Sequence, residues 1–138
     1  MKAFDTDVLT EILLGNAEFV RRAALIPTQE QGVPVVVAEE IIRGRLNAIR
    51  QAEAGKGRLT IEQVYELFER TLHALREVTI LPYTSRAEDL FQQWRRQKLR
   101  LPTHDLRIAA ISVAHSATLV SRNRRDFERV PGLTVEYW

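Results

Sequence analysis

Acidic and amide side chains lie where the predicted strands of this sequence end. They are Asp5 and Asp7 after the first apolar run, Glu39 and Glu40 after the second, Asp105 at the start of the helix leading to the fourth, and Asn123 with Asp126 after the fourth. Because ligands of an open α/β sheet bind outside the carboxyl ends of its strands, we expect these groups to converge on one pocket. No lysine is interleaved to neutralise them, so a cation is the natural counter-charge. All-oxygen ligands favour Mg²⁺ or Mn²⁺ over zinc.

Several of these positions also have a purely structural interpretation. Asp5 directly ends the apolar strand, one position before the usual N-cap, which favours a functional role. Asp7 is predicted to cap the helix that follows. Glu39 is the better candidate for a solvated helix residue and Glu40 for the site, because Gly44, one turn beyond Glu40, would let another segment or a substrate come close.

Short β-prone runs alternate with helical stretches along the chain. Strands are predicted over 2–4, 33–37, 78–81, 118–121 and 134–137, and helices over 8–14, 17–25, 38–54, 61–75, 85–99 and 106–115. Thr60 with Gln63 predicts a capping box, and Thr103 can cap the helix that carries Asp105, whose charge would then only favour the first turn. Strands separated by helices predict right-handed crossovers and an α/β fold with a mostly parallel sheet covered on both faces.

The composition of the chain indicates a globular protein and excludes sites that depend on cysteine. The 138 residues suit one domain over 1–138, and 45% hydrophobic with 28% charged residues is typical of a globular protein. The absence of cysteine excludes thiolate zinc sites, Fe–S clusters and cysteine nucleophiles. With no apolar run of membrane-spanning length and no signal-peptide pattern at the start, we expect a cytoplasmic protein. Only three of the 20 basic residues are lysines, and arginine is the residue that binds phosphate or carboxylate with two hydrogen bonds.

Four segments carry a resemblance to a known family. They are DTDVL at 5–9, AEEIIRG at 38–44, DLRIAA at 105–110 and LVSRNRRDF at 119–127, followed by Gly132-Leu133 and Trp138. In this order and at this chain length they resemble a PIN domain, and more narrowly the VapC-type toxins of bacterial and archaeal toxin–antitoxin pairs. The segment at 119–127 is the most specific, whereas residues 45–101 match only as helices. The resemblance implies a three-layer α/β/α fold with a central, mostly parallel sheet of four to five strands.

The resemblance also implies an activity and its residues. Such proteins are metal-dependent endoribonucleases, in which Asp5, Glu40 and Asp105 would match the three acids that hold Mg²⁺ or Mn²⁺. The fourth position falls on Asn123, with Asp126 nearby as the alternative fourth ligand. Asp7 stands where the family usually has Asn. The chemistry implied is in-line hydrolysis of a phosphodiester by an activated water.

Partners follow from the same resemblance. RNA would be the substrate, with tRNA as one candidate, a VapB-type antitoxin would be the inhibitor, and a homodimer is expected. Candidate groove residues for the antitoxin are Ile12, Leu13, Leu67, Phe68 and Leu72, for most of which core burial is the alternative.

Arginines near the acids are candidates for holding the RNA. Arg43, Arg107, Arg122 and Arg124 each lie within a few residues of an acidic position, as does Arg125. They could contact phosphates without reading the base sequence. The alternative is intramolecular pairing with the acids themselves.

Three other functions fit parts of the pattern. A non-catalytic RNA- or protein-binding PIN relative is favoured by Asn123 in the fourth position. A haloacid-dehalogenase-type phosphatase would use Asp5 as a nucleophile and Asp7 as acid and base, but it needs a late lysine, for which only Lys98 is available. A two-histidine ribonuclease would have to draw on His73, His104 and His115, of which His73 and His115 lie inside predicted helices.

Overall fold

Five short parallel strands form the central sheet, in the order β3-β2-β1-β4-β5. The computed structural model describes all residues from Met1 to Trp138. The strands are β1 (Lys2–Phe4), β2 (Gln31–Pro34), β3 (Thr79–Leu81), β4 (Thr118–Ser121) and β5 (Val135–Tyr137). The helices are α1 (Thr6–Leu13), α2 (Ala17–Ala24), α3 (Val35–Glu53), α4 (Ile61–Arg76), α5 (Ser85–Arg96), α6 (Thr103–Ala114) and α7 (Arg124–Phe127), with a 3-10 turn at Thr28–Glu30. The α/β class, the parallel sheet and its flanking helices are confirmed.

The middle of the sheet is the most deeply buried part of the molecule. β1 pairs with both β2 and β4, so that Lys2 stands opposite Gln31 on one side and Thr118 on the other. Ala3 and Phe4 are at most 1% exposed, because helices cover both faces of a parallel sheet. The carboxyl ends of β1, β2 and β4 therefore lie side by side.

The boundary between β2 and α3 differs from the prediction. The apolar run 33–37 is predicted to be one strand, but β2 ends at Pro34 and α3 begins at Val35. Proline has no N–H to donate to a sheet, and its fixed φ suits the position just before a helix. Glu40 therefore does not follow the strand directly but lies in the second turn of α3.

Other boundaries agree more closely with the sequence. β1 and β4 have the predicted bounds, and α4 begins with the predicted capping box of Thr60 and Gln63. Thr103 is the first residue of α6 rather than its cap, since Pro102 precedes it and no side chain caps the helix. The short helix α7 was not predicted, because its four residues are too few to show a helical period.

No helix of the structure is both long and apolar enough to cross a bilayer.

Candidate functional site

Asp5 lies at the carboxyl end of β1, where the strand passes into α1. It is 5% exposed, and its carboxylate accepts hydrogen bonds from the Thr6 N–H at 2.8 Å and the Ser121 hydroxyl at 2.6 Å. Burial raises the pKa of Asp5 from 3.8 to about 7; the charges of Asp7 and Asp105 add to the rise, and the two hydrogen bonds oppose it. The charge of this carboxylate is therefore poorly compensated by the protein itself.

Asp5 is also the N-cap of α1, so the prediction that Asp7 caps this helix is wrong. Asp5 has extended backbone angles, φ −73° and ψ 163°, and the helix begins at Thr6. Asp7 lies in the first turn, where one carboxylate oxygen accepts a hydrogen bond from the Arg122 N–H at 3.3 Å. Its other oxygen, Oδ1, is buried without a hydrogen-bond partner, and burial raises the pKa of Asp7. An unpartnered buried carboxylate oxygen favours a cation nearby.

Glu40 reaches the same edge of the sheet from α3. Its Oε2 accepts a hydrogen bond from the Thr6 hydroxyl at 2.5 Å, and its Oε1 lies 2.9 Å from Nδ1 of His104. The other ring nitrogen of His104 lies 3.7 Å from the carboxylate of Glu39. Both oxygens of Glu40 are thus held, and α1, α3 and α6 meet at this one side chain.

Asp105 projects from the first turn of α6 into the same group. Its pKa is raised to about 6, chiefly by burial and then by the negative charges of Glu40, Asp126 and Asp7, while His104 acts to lower it. The carboxylates of Glu40, Asp126 and Asp7 thus lie near enough to Asp105 for their charges to act on it. This convergence was expected from the strand-end positions alone.

Asn123 and Asp126 lie next to each other and are joined by two hydrogen bonds. Asn123 is the N-cap of α7; its Oδ1 accepts the Asp126 N–H at 3.3 Å and its Nδ2 donates to the Asp126 carboxylate at 3.0 Å. The backbone N–H of Asn123 donates to the Ser121 hydroxyl at 2.9 Å, and that hydroxyl donates to Asp5. The two candidates for the fourth position are therefore linked to Asp5 through Ser121.

These residues suit a hard divalent cation in their chemistry. The donors are carboxylate oxygens, the pKa values of Asp5, Asp7 and Asp105 are all raised, and Asp7 Oδ1 lacks a partner. No three His, Asp or Glu side chains stand close enough to hold one ion together as they lie.

Two of the four predicted RNA-binding arginines have acidic partners. Arg43 forms an exposed ion pair with Glu39, one turn earlier on α3. The guanidinium of Arg122 lies 3.1 Å from the Glu11 carboxylate and 5.7 Å from the centre of the Phe19 ring. The intramolecular alternative considered from the sequence therefore applies to both side chains in this structure.

The other two arginines lie against aromatic rings. Arg124 stands 4.1 Å from the centre of the Tyr137 ring, and Arg107 stands 4.7 Å from the centre of the Phe91 ring on α5. Two residues along a helix is roughly 200° of rotation, so Arg107 faces away from the side of α6 that carries Asp105. The structure does not bring Arg107 together with the acids.

Three residues that the sequence did not assign to the site hold its acids in place. Thr6 and His104 both contact Glu40, and Ser121 contacts Asp5. Thr6 and Ser121 could have been found, because each lies at the carboxyl end of a strand beside a predicted acid. His104 gives no such signal, because only the packing of α6 against α3 brings it to Glu40. Gly44 lies in open space, with no atom within 4 Å of the position of a Cβ, so no segment of this chain makes the close approach predicted there.

The chain is similar in sequence to a known family and to a curated protein. The family model for the PIN domain matches residues 2–133. Ribonuclease VapC1 of Rickettsia felis is 35% identical over 75 residues, which are 54% of this chain and 52% of that protein. The chain thus aligns with about half the length of this curated relative.

Solved structures share the fold over nearly the whole chain. FitAcB from Neisseria gonorrhoeae aligns with a TM-score of 0.79 at 20% identity, covering 98% of this chain and 96% of that one. DNA-bound VapBC from Salmonella typhimurium aligns with a TM-score of 0.77 at 20% identity, covering 99% and 97%. VapBC2 from Rickettsia felis, bound to a promoter DNA fragment, aligns with a TM-score of 0.75 at 18% identity, covering 99% and 98%. At these identities the likeness concerns the fold.

Proposed function

The chain belongs to the PIN domain family, and from this premise we propose that it is a divalent-metal-dependent endoribonuclease, the toxin of a VapBC-type toxin–antitoxin pair. The observation that carries the proposal is the group of acids near the carboxyl ends of the strands, where burial, with a further contribution from neighbouring negative charges, raises the pKa of Asp5 to about 7 and that of Asp105 to about 6. Burying several like charges together is costly unless a cation binds among them. The similarity to a protein named Ribonuclease VapC1 supports the choice of RNA as substrate.

In this proposal Asp5, Glu40 and Asp105 hold Mg²⁺ or Mn²⁺, with Asn123 or Asp126 completing the set. Bound there, the ion supplies charge neutralisation at the phosphate and activation of a water. Thr6 and His104 orient Glu40, and Ser121 orients Asp5. Because no side chain acts as a nucleophile and the ribose 2′-hydroxyl is not used, we expect products with a 5′-phosphate and a 3′-hydroxyl.

A VapB-type antitoxin is the proposed partner. The solved structures of similar fold include VapBC toxin–antitoxin complexes. An apolar groove between α1, α2 and α4, lined by Ile12, Leu13, Val20 and Leu67, is a surface on which an apolar segment could fold. Leu72, also a candidate from the sequence, is 46% exposed but does not line this groove. A homodimer and a cytoplasmic location, where the RNA lies, complete the proposal.

The test is cleavage of RNA by the whole protein with Mg²⁺ or Mn²⁺ and in EDTA. We expect cleavage with the metal and none in EDTA. Glu40→Gln and Asp105→Asn should each lower turnover at least about a hundredfold, since each removes a charge from the proposed metal site.

Glu39→Gln is the matched control, because Glu39 is next to Glu40 but is exposed and paired with Arg43. Full activity in EDTA, or a larger effect from Glu39 than from Glu40, would contradict the assignment. Binding of RNA with Mg²⁺ but no cleavage of any RNA would favour the non-catalytic alternative. The phosphatase alternative is set aside by membership in the PIN family.

A further inference from the structure

A basic cavity of about 550 Å³ lies between the end of α5 and the start of α6. We name it the α5–α6 pocket. Three cationic side chains line it, from Arg95, Lys98 and Arg100, and Leu99 and Leu101 provide part of an apolar floor. It contains none of the arginines that the sequence had suggested for RNA binding.

The three cationic side chains of the α5–α6 pocket form no ion pair within the protein. No acidic residue lines the pocket, and none of its three cations has a carboxylate within salt-bridge distance, whereas Arg43 and Arg122 do. Lys98 has a left-handed backbone, φ 59°, at a helix end where glycine or asparagine is usual. Three cations without a carboxylate partner therefore line one pocket, an arrangement that favours binding of an anion.

The α5–α6 pocket adjoins the acids of the candidate site. Thr103, one of its lining residues, lies in the same first turn of α6 as Asp105. Pro102 lines both this pocket and a neighbouring groove that contains Arg125, Asp126 and Arg129. Basic side chains therefore run continuously from the pocket to Asp126, whose charge acts on Asp105.

The Arg129 guanidinium contacts residues of both the α5–α6 pocket and the neighbouring groove. It donates a hydrogen bond to the Arg100 carbonyl at 2.6 Å and lies 3.3 Å from the Asp126 carboxylate. Arginine side chains therefore link Asp126 to the α5–α6 pocket, along a surface that a strand of nucleic acid could follow.

We propose that the α5–α6 pocket binds a nucleotide of single-stranded RNA next to the bond that is cut. Its phosphate contacts Arg95, Lys98 and Arg100, and its base lies against Leu99 and Leu101. Cations beside an apolar floor match a nucleotide, which has both a charged phosphate and an apolar face. An acidic peptide could contact the same cations, and the test below distinguishes it from RNA. The proposal rests on the proposed function for the statement that RNA is cut nearby.

The test is RNA binding by the whole chain in which Glu40→Gln prevents turnover. The probe is a fluorescently labelled single-stranded RNA of about 12 nucleotides, within the usual site sizes. The pocket variant carries Arg95→Gln, Lys98→Asn and Arg100→Gln, with Asn chosen because it tolerates a positive φ. The control variant carries Arg21→Gln, Lys56→Gln and Arg86→Gln, which removes the same charges from exposed positions elsewhere.

We expect the pocket variant to bind at least about tenfold more weakly than the control, and its slope of log affinity against log salt to be shallower by about 0.7, the change for one lost phosphate contact on a single strand. Equal binding by the pocket and control variants would overturn the inference, as would an effect of the pocket variant only on binding of an acidic peptide. The Glu40→Gln protein without further changes should bind an abasic strand of the same length more weakly than the RNA, and equal binding would exclude the base contact.

Cleavage of the same RNA by the chain with Glu40 intact separates this inference from the proposed function. If that protein cuts RNA while the pocket and control variants behave alike, the inference fails and the proposed function stands. If RNA binding depends on the pocket but no RNA is cut, RNA binding by the pocket is supported and the proposed function fails.

Discussion

The acid cluster, formed by Asp5, Asp7, Glu40 and Asp105, differs from the α5–α6 pocket in how firmly its charged groups are held. Asp5 is buried and accepts two hydrogen bonds, and both oxygens of Glu40 have partners. The cations of Arg95, Lys98 and Arg100 are exposed and unpaired, at the end of one helix. Activation of water requires groups at fixed positions, whereas contact with a phosphate backbone requires mainly charge and reach. In the proposed function, the fixed acids therefore suit the chemical step and the exposed cations suit capture of the substrate.

Replacing Asp5 should change the free energy of unfolding more than any other substitution considered below. Because the pKa of Asp5 in the folded protein is about 7, against 3.8 ordinarily, the native state holds this proton more tightly than the unfolded state. The stabilisation that comes from this tighter binding of the proton is therefore lost as pH rises from about 4 to about 7. Asp5→Asn should raise the free energy of unfolding of the metal-free protein by about 2–4 kcal/mol at pH 8 and change it little at pH 4.

Urea unfolding in EDTA at both pH values measures this effect. Asn also caps helices well, so α1 should not be lost. The control is Asp89→Asn, an exposed carboxylate on α5, which should not change the pH dependence. An Asp5→Asn protein that is less stable than wild type at pH 8 would show that the acid cluster is not under electrostatic strain.

His104 tests whether the acids are held by specific contacts. His104→Ala should weaken Mn²⁺ binding about tenfold, because one of the two groups that orient Glu40 is lost. His104→Asn puts an N–H donor near the position of Nδ1 and should restore most of the affinity, whereas His104→Gln puts it near Nε2 and should not. Calorimetric titration with Mn²⁺ measures all three. If Asn and Gln behave alike, His104 only fills space.

The fourth position should give a smaller change. Asn123→Asp should keep activity and tighten Mn²⁺ binding about threefold, because it adds a charge at the edge of the proposed metal site. Asp126→Asn should be mild by comparison if Asn123 is the functional group. Losses from Asp126→Asn as large as those from Glu40→Gln would instead make Asp126 the fourth acid.

Removing exposed cations should have the smallest effect on stability. Arg43→Ala breaks only an exposed pair on α3 and should change the free energy of unfolding by less than about 0.5 kcal/mol. Arg95→Gln should also stay within this limit, in contrast to Asp5→Asn. Thermal unfolding in the same buffer compares the three. A large loss from Arg95→Gln would mean that the rim also supports the fold.

The sequence could predict the fold and the acids because both depend on short-range signals. Apolar runs ending in Asp5 and Asn123 mark strand ends, and the parallel topology then brings these ends together. The β2–α3 boundary was missed because the run around Pro34 is equally apolar on both sides of the proline. Glu40 still reaches the site, since the second turn of α3 remains near the strand end.

The arginines could not be assigned from proximity in sequence. Arg107 is two residues from Asp105, yet the helical rotation turns it towards Phe91. Arg95 and Lys98 are several residues from any predicted acid, and only the turn between α5 and α6 brings them beside Thr103. Contacts such as that of His104 with Glu40 depend on packing between helices, which a single sequence does not encode in any local pattern.

The position of β1 in the middle of the sheet has a consequence for biosynthesis. Asp5 receives its hydrogen bond from Ser121, which lies 116 residues later in the chain. Contacts of such long sequence separation form late, because the intervening chain must first be made and ordered. While a ribosome is still translating residues before β4, the acids of β1 and α3 have no Ser121 or Asn123 beside them. The full set of acids can therefore come together only once synthesis has passed Asp126, and a nascent chain that ends before β4 lacks it.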